Sequence, residues 1–362
     1  MNPKGGPEMK VFKRMESHGH EQVAFCYDRV SGLKAIIAIH DTTLGPALGG
    51  CRMWPYESEE EALVDALRLA EGMTYKSSVM GLNLGGGKAV IIGDPKEKSE
   101  VLLRAFGKFV QSLGGRYITA EDVSISPEDL VHVAMETDHV VGLPGGSGDP
   151  SPATAYGTFQ GMKACLEMVY GSSSFRGRTV SVQGAGAVGW HLCRHLSEAG
   201  AQLLVSDIFP DKARTIVDEF GARMVEAEEI YDQEVDIFSP NALGSVINDD
   251  TLPRLRCRIV AGAAKNQLAQ EQHGLQLKEK GILYAPDFVI NGGGVTNVAD
   301  EQEPSGYNRE RAYARIEKIY DKVEAVLETA RDEDVPTHQA ALRLAVRRID
   351  EMGRLRTFYL PR

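Results

Sequence analysis

Long apolar runs are missing from this sequence. None of its stretches approaches the ~18 consecutive apolar residues of a membrane span, so the 362 residues hold no helical membrane anchor. Basic clusters are missing too. The formal net charge is −11, and without a Lys/Arg patch neither nucleic acid nor an anionic membrane has a surface to hold. Cysteine is scarce: Cys26, Cys51, Cys165, Cys193 and Cys257 are scattered, with no C-x-x-C pair. That spacing predicts free thiols in a reducing cytoplasm, no disulfide framework and no metal site. Residues 1–8 lack the apolar core of a signal peptide and read as a disordered tail or an upstream start.

What remains is a soluble α/β pattern long enough for two domains. In the first part, Leu33–Ile39 is a β-branched run. Ser58-Glu59-Glu60-Glu61 is a capping box opening an amphipathic helix with Leu63, Ala66, Leu67, Ala70 and Met73 on one face. A second helix covers Val101–Leu113, and Arg116–Asp122 is a short strand ending in acids. Residues 142–152 are almost all turn formers and mark the domain boundary. Beyond a helix over Thr154–Tyr170, strands at Thr179–Gln183, Gln202–Asp207, Asp236–Phe238, Arg258–Ala261 and Ile282–Tyr284 alternate with helices. That alternation predicts a doubly wound parallel sheet. One long helix is expected over Asn308–Asp332 and a second over Pro336–Met352, crossing back to the first domain. The expected domains are 1–145 with 335–362 returning to it, and 146–334.

The turn Gly184-Ala185-Gly186-Ala187-Val188-Gly189 has the G-x-G-x-x-G spacing of a dinucleotide site, and alone that is a weak signal. Here a strand precedes it, a helix follows, and the next strand ends in Asp207, about 20 residues on. The first glycine makes the turn, the second admits the pyrophosphate, and the third lets helix and strand pack. The helix N-terminus offers amide donors and positive dipole to phosphate. Asp207 would hold the ribose hydroxyls and repel a 2′-phosphate, so the expected cofactor is NAD.

A second glycine-rich stretch, Gly81–Lys88, is not a P-loop. Leu82 stands where the first glycine should be, Ala89 replaces Ser/Thr, and Ala89–Ile92 reads as strand. Gly85-Gly86-Gly87 therefore reads as an open backbone surface that admits a substrate, with Lys88 at the start of a strand beside it. Lys76, among small and apolar neighbours, and Asp122, at a strand end, complete a set of ionisable residues near glycines.

The runs Ile39–Gly50, Gly72–Lys76, Gly81–Lys88, Tyr117–Val123 and Tyr284–Asn291 resemble the glutamate/leucine/phenylalanine/valine dehydrogenase superfamily, and the likeness extends from about Met9 to the last helix. The resemblance implies NAD-linked oxidative deamination of an L-amino acid to a 2-oxo acid and ammonia. It implies that Lys76 binds the substrate carboxylate with Asn266 and backbone near Gly49. Lys88 would be the catalytic lysine, Asp122 would exchange protons with the amino group, and Thr154 and Asn241 would lie near the cofactor. It implies a homo-oligomer, commonly an octamer.

Positions implied to line the side-chain pocket are Leu48, Ala120, Val295 and Val298. All are apolar, which disfavours glutamate and suits branched aliphatic side chains. Several positions depart from the family pattern: Cys51, Asn241, Lys265, Gly292 and Thr296, the last lying between the two pocket valines. Thr296 keeps an aromatic amino acid as an alternative substrate. A non-catalytic NAD-binding regulator is the alternative from another class, and it has no need of Lys76, Lys88 and Asp122 together.

Overall fold

A computed structural model describes residues 10–242 and 244–355 of the chain. The reading of residues 1–8 as a tail lies outside them. The chain forms two compact units. One runs to Gly148 and takes up the chain again at Arg348, and the other is Asp149–Arg347. The division falls within the turn-rich run 142–152. The return comes later than the expected residue 335, because the start of the last helix packs in the second unit, where Gly274 lies against the His338 ring.

The first unit holds strands β1 (Gln22–Tyr27), β2 (Lys34–Asp41), β3 (Ala47–Trp54), β4 (Gly85–Ile92) and β5 (Tyr117–Ala120). Its helices are α1 (Val11–His18), α2 (Glu59–Val79), α3 (Glu100–Ser112) and α4 (Pro127–Ala134). The sheet order is β1-β2-β4-β3-β5. β1/β2 and β2/β4 are antiparallel, while β3 runs parallel to both β4 and β5. Period-two alternation sends Ala47, Cys51 and Met53 of β3 and Ala89 and Ile91 of β4 into a core with Leu103, Phe106 and Val110 of α3. The other face, with Ile36, Ala38 and Val90, packs on Leu63, Ala66, Leu67 and Ala70 of α2.

Helix α2 starts where expected, with Ser58 accepting from the Glu61 amide at 3.1 Å. The Glu61 carboxylate, however, accepts from the Glu57 amide at 2.9 Å, one residue before the amide a capping box would use. β1 forms one edge of the sheet, with Phe25 54% and Tyr27 64% exposed.

In the second unit, β6 (Thr179–Gln183), β7 (Gln202–Ser206), β8 (Arg223–Met224), β9 (Glu234–Pro240), β10 (Arg256–Val260) and β11 (Leu283–Tyr284) form a parallel sheet. The order is β11-β10-β9-β6-β7-β8. The chain winds one way from β6 to β8 and the other way from β9 to β11. The carboxyl ends of β6 and β9 therefore flank the switch point where doubly wound sheets bind ligands. The helices are α5 (Ser151–Tyr170), α6 (Ala187–Glu198), α7 (Pro210–Phe220), α8 (Gln272–Glu279), α9 (Asp287–Ile290), α10 (Gly293–Ala299), α11 (Arg309–Glu317) and α12 (Ile319–Asp332); α13 (Thr337–Leu355) runs on into the first unit.

The single helix expected over Asn308–Asp332 is two, broken at Lys318. Ile319, the first residue of α12, seats against Gly157 of α5, where a Cβ would come within 2.6 Å of its side chain. From Arg348 onward α13 belongs to the first unit, and the Arg348 guanidinium donates to the Leu82 carbonyl at 2.8 Å and to Asn83 at 2.9 Å. All five cysteines are free and buried. Among the described residues, no helix is long and apolar enough to cross a membrane.

Candidate active site

Lys88 is the fourth residue of β4, not its first, and Gly85-Gly86-Gly87 lie inside the strand. The glycines are not an open surface. A Cβ at Gly86 would collide with the Thr74 amide and the Ala70 carbonyl of α2, and one at Gly87 would come within 2.7 Å of the Tyr117 ring. They let a helix and an aromatic ring close on the strand backbone. A one-dimensional reading cannot tell protein from ligand as the group that fills such a gap.

Lys88 shares its face of the sheet with Gly86 and Val90, the face covered by α2, by strand alternation. The lysine is 4% exposed. Its Nζ lies 2.8 Å from Oδ2 of Asp122, whose side chain is 3% exposed. Asp122 follows β5 and comes close because Gly50 has no side chain; a Cβ there would stand 2.9 Å from the Asp122 Cβ. Lys76 is half-buried in the last turns of α2.

Arg52 is the residue the sequence reading missed. Its Nε donates to the same Asp122 Oδ2 at 3.0 Å, and its Nη1 donates to Asp65 at 2.9 Å. Asp65 also accepts from the Tyr56 hydroxyl at 2.8 Å. Burial disfavours the Arg52 charge, but Asp122 and Asp65 more than offset it and hold its pKa above the ordinary value. The available signal was a lone arginine inside the apolar strand run Cys51-Arg52-Met53.

Leu48 and Ala120 are both buried, Leu48 paired between Gly86 and Ile118 and Ala120 opposite Gly50. Gly49 pairs with Thr119, and its carbonyl accepts from the Tyr117 hydroxyl at 2.6 Å. Cys51 points into the α3 core, so that departure from the family pattern repacks interior. Burial pushes its thiol well up.

In the second unit the glycine turn is closed by backbone at its first and third glycines and open at its second. Gly184 is left-handed at φ 99°, and a Cβ there would come within 2.8 Å of Ala242, which follows β9. A Cβ at Gly189 would strike the Gly184 carbonyl, whereas at Gly186 it would meet nothing within 4 Å. Gly186 is the N-cap of α6, and no side chain caps that helix. Its first-turn amides thus face the open side without a competing acceptor from a cap. Ala187 and Val188 are the first two residues of α6. Asp207 accepts from the Ala185 amide at 2.7 Å and the Phe209 amide at 2.9 Å. Those bonds fix the carboxylate beside the turn and leave it acceptor capacity for hydroxyl groups.

The Asn241 side chain is fixed just past the end of β9. Its amide nitrogen donates to Ser239 at 2.9 Å and its oxygen accepts from the Ala263 amide at 3.0 Å, so it braces the ends of β9 and β10. Thr154 lies in the first turn of α5 against Gly293 and Gly294 of α10, and Val295 and Val298 are buried in α10. The Thr296 hydroxyl donates to the Gly292 carbonyl at 2.9 Å, so its polar group is satisfied within its own helix. Asn266 is left-handed at φ 52°, and its carbonyl accepts from the Ser245 amide at 2.6 Å.

Comparison with known proteins adds the following. Residues 20–139 match the Glu/Leu/Phe/Val dehydrogenase dimerisation domain, and residues 145–209 and 207–356 match Glutamate/Leucine/Phenylalanine/Valine dehydrogenase. The leucine dehydrogenase of Geobacillus stearothermophilus is 57% identical over 356 residues, 97% of this chain and 96% of that protein. The phenylalanine dehydrogenase of Bacillus thermotolerans is 48% identical over 364 residues, 97% of this chain and 94% of that one. The crystal structure of L-tryptophan dehydrogenase from Nostoc punctiforme superposes with a TM-score of 0.85 at 50% identity, over 95% of this chain and 99% of that one.

Proposed function

The chain belongs to the Glu/Leu/Phe/Val dehydrogenase family, and from that premise we propose that it is an NAD-dependent leucine dehydrogenase, deaminating L-leucine and other branched aliphatic L-amino acids reversibly to 2-oxo acids and ammonia. The observation that carries the reading is the buried Lys88–Asp122 pair at 2.8 Å, a base and an acid in contact on a rigid sheet.

NAD, when bound, supplies the hydride acceptor. The Gly184–Gly189 stretch, with the first-turn amides of α6, would hold its pyrophosphate, and Asp207 its ribose hydroxyls. Lys76 holds the substrate carboxylate as a fixed cation, with Asn266 and the Gly49 backbone assisting. Lys88, as the neutral amine, takes a proton from the water that attacks the substrate iminium carbon. Asp122 receives and returns protons at the departing nitrogen as the carbinolamine collapses. Thr154 stands on the cofactor side.

Leu48, Ala120, Val295 and Val298 line the side-chain pocket in this reading. An apolar lining leaves a glutamate carboxylate without a partner and accepts a branched alkyl group. The 57% identity to a leucine dehydrogenase, against 48% to a phenylalanine dehydrogenase, favours the aliphatic substrate. A homo-oligomer, an octamer by family likeness, and a cytoplasmic site of action accompany the proposal.

The test is NADH formation by the purified protein with L-leucine, L-valine, L-phenylalanine and L-glutamate, beside Lys88→Ala. Leucine leading, with loss in the variant, supports the whole reading. Phenylalanine leading keeps the mechanism and overturns the pocket. No NADH with any amino acid, despite NAD binding, overturns the activity.

A further inference from the structure

The proposed chemistry requires Lys88 to lose its proton while Asp122 beside it stays ionised in the interior. A buried carboxylate whose partner has just become neutral is costly to keep charged. The structure supplies a second cation at that point. Lys88 Nζ and Arg52 Nε meet the same oxygen, Asp122 Oδ2, at 2.8 Å and 3.0 Å. The two cations therefore lie within ~6 Å of one another, the range over which one charge shifts the titration of another. Arg52 is tied in turn by Asp65 at 2.9 Å, and Asp65 by Tyr56 at 2.8 Å and Arg68 at 3.1 Å.

We propose that Arg52 is a positioning residue for the reaction: it aims Asp122 at Lys88 and remains its counter-charge when Lys88 is neutral, and Asp65 tempers that hold. The inference rests on the reading of Lys88 as the base.

Other groups around the pair do not substitute for Arg52. Cys51 from β3 and Tyr117 from β5 are pushed well up by burial and stay neutral near pH 7. Tyr56, beside Asp65, is likewise pushed up. Glu121 precedes Asp122 in the chain and adds negative charge. Lys76, on α2, is reserved for the substrate carboxylate in the reading above. With Arg52 present, Lys88 gives up its proton from a set in which two cations face Asp122 and Asp65. Without Arg52, Lys88 alone faces both carboxylates, and deprotonation becomes harder.

The experiment measures kcat/KM against pH with L-leucine for the wild type, Arg52→Gln, Arg52→Lys and Asp65→Asn. Arg52→Gln is expected to move the acidic limb up by about one pH unit, a loss of about tenfold on that limb that shrinks as pH rises. Arg52→Lys is expected to keep the wild-type limb, and Asp65→Asn to move it down. In parallel, the Lys88 amine is titrated directly by NMR of protein carrying ¹³C at lysine Cε, assigned with Lys88→Ala, a readout that needs no reagent to enter the site. Its midpoint should move in the same directions in each variant.

A loss in Arg52→Gln that is uniform across pH, or a Lys88 midpoint that moves in neither Arg52→Gln nor Asp65→Asn, overturns the proposal. If Arg52→Gln does not fold, the sign of the Asp65→Asn shift decides it. If no amino acid is oxidised yet the Lys88 midpoints move as stated, the functional reading fails and the coupling of Arg52 to Lys88 stands.

Discussion

A charge buried in a sheet has few ways to remain charged, and Lys88 and Asp122 have taken the simplest by facing each other. Replacing Asp122 removes the carboxylate that faces Lys88, whereas replacing Lys88 leaves Asp122 held by Arg52 at 3.0 Å. Lys88→Ala should lower kcat by about 10²–10⁴-fold while NAD binding, which the proposal assigns to the other unit, stays intact by fluorescence titration. Gly50→Ala is a second lesion at the same place. The added methyl collides with the Glu121 carbonyl oxygen and meets the Asp122 Cβ at 2.9 Å, so this stretch of backbone must shift and carry Asp122 off Lys88. Activity should fall about 10²-fold, and the melting temperature should drop as it does in Gly86→Ala, since both methyls meet backbone. In Gly86→Ala the methyl is driven into the backbone of α2, and strain of about 1–3 kcal/mol or more is expected. At this scale the sequence named Lys76, Lys88 and Asp122 through motif likeness, because short linear motifs keep residue types adjacent. It missed Arg52, whose partners Asp65 and Asp122 lie on other elements, and it misjudged Gly85–Gly87, where only the third dimension shows what occupies the space.

Among the elements, the glycine turn after β6 was legible because strand, turn and helix follow one another directly in the chain. Gly184→Ala forces a β-carbon onto a φ of 99° and against Ala242. NAD affinity should fall about tenfold or more by isothermal titration, with the parallel sheet retained by circular dichroism. The break between α11 and α12 was not legible, since the apolar stripe continues through Lys318 and the packing of Ile319 on α5 shows only in three dimensions.

The join between α10 and α11 also shows only in space. Asp300, fully buried, accepts from Arg311 at 2.7 and 2.8 Å and from the Asn308 amide at 2.7 Å. Burial alone would raise its pKa, but these bonds outweigh it and hold the carboxyl below the ordinary value. A depressed folded pKa stabilises above the unfolded value near ~3.9, and that contribution is lost as pH falls through the lower folded value. Asp300→Asn should therefore lower the melting temperature by about 4 °C or more at pH 7. The gap to wild type should close in acid.

For the whole molecule, the two-unit organisation was readable from turn formers at 142–152 and from the change of pattern after them. The extent of the return was not, because residues 337–347 are part of one continuous helix whose start is held by contacts such as Gly274 with His338. The burial of every cysteine, a property of both cores, has a practical consequence. Burial pushes the Cys26 and Cys257 thiols up to about 11 and those of Cys165 and Cys193 to about 12. Thiolate, the reactive form, is nearly absent at neutral pH, and alkylating reagents cannot reach it. Iodoacetamide should leave activity unchanged. Labelling, followed by mass spectrometry, should proceed only as fast as each stretch of chain opens. Cys26 and Cys51 then keep time for one unit, and Cys165, Cys193 and Cys257 for the other. The protein carries in each half a set of built-in clocks that run only while that half is unfolding.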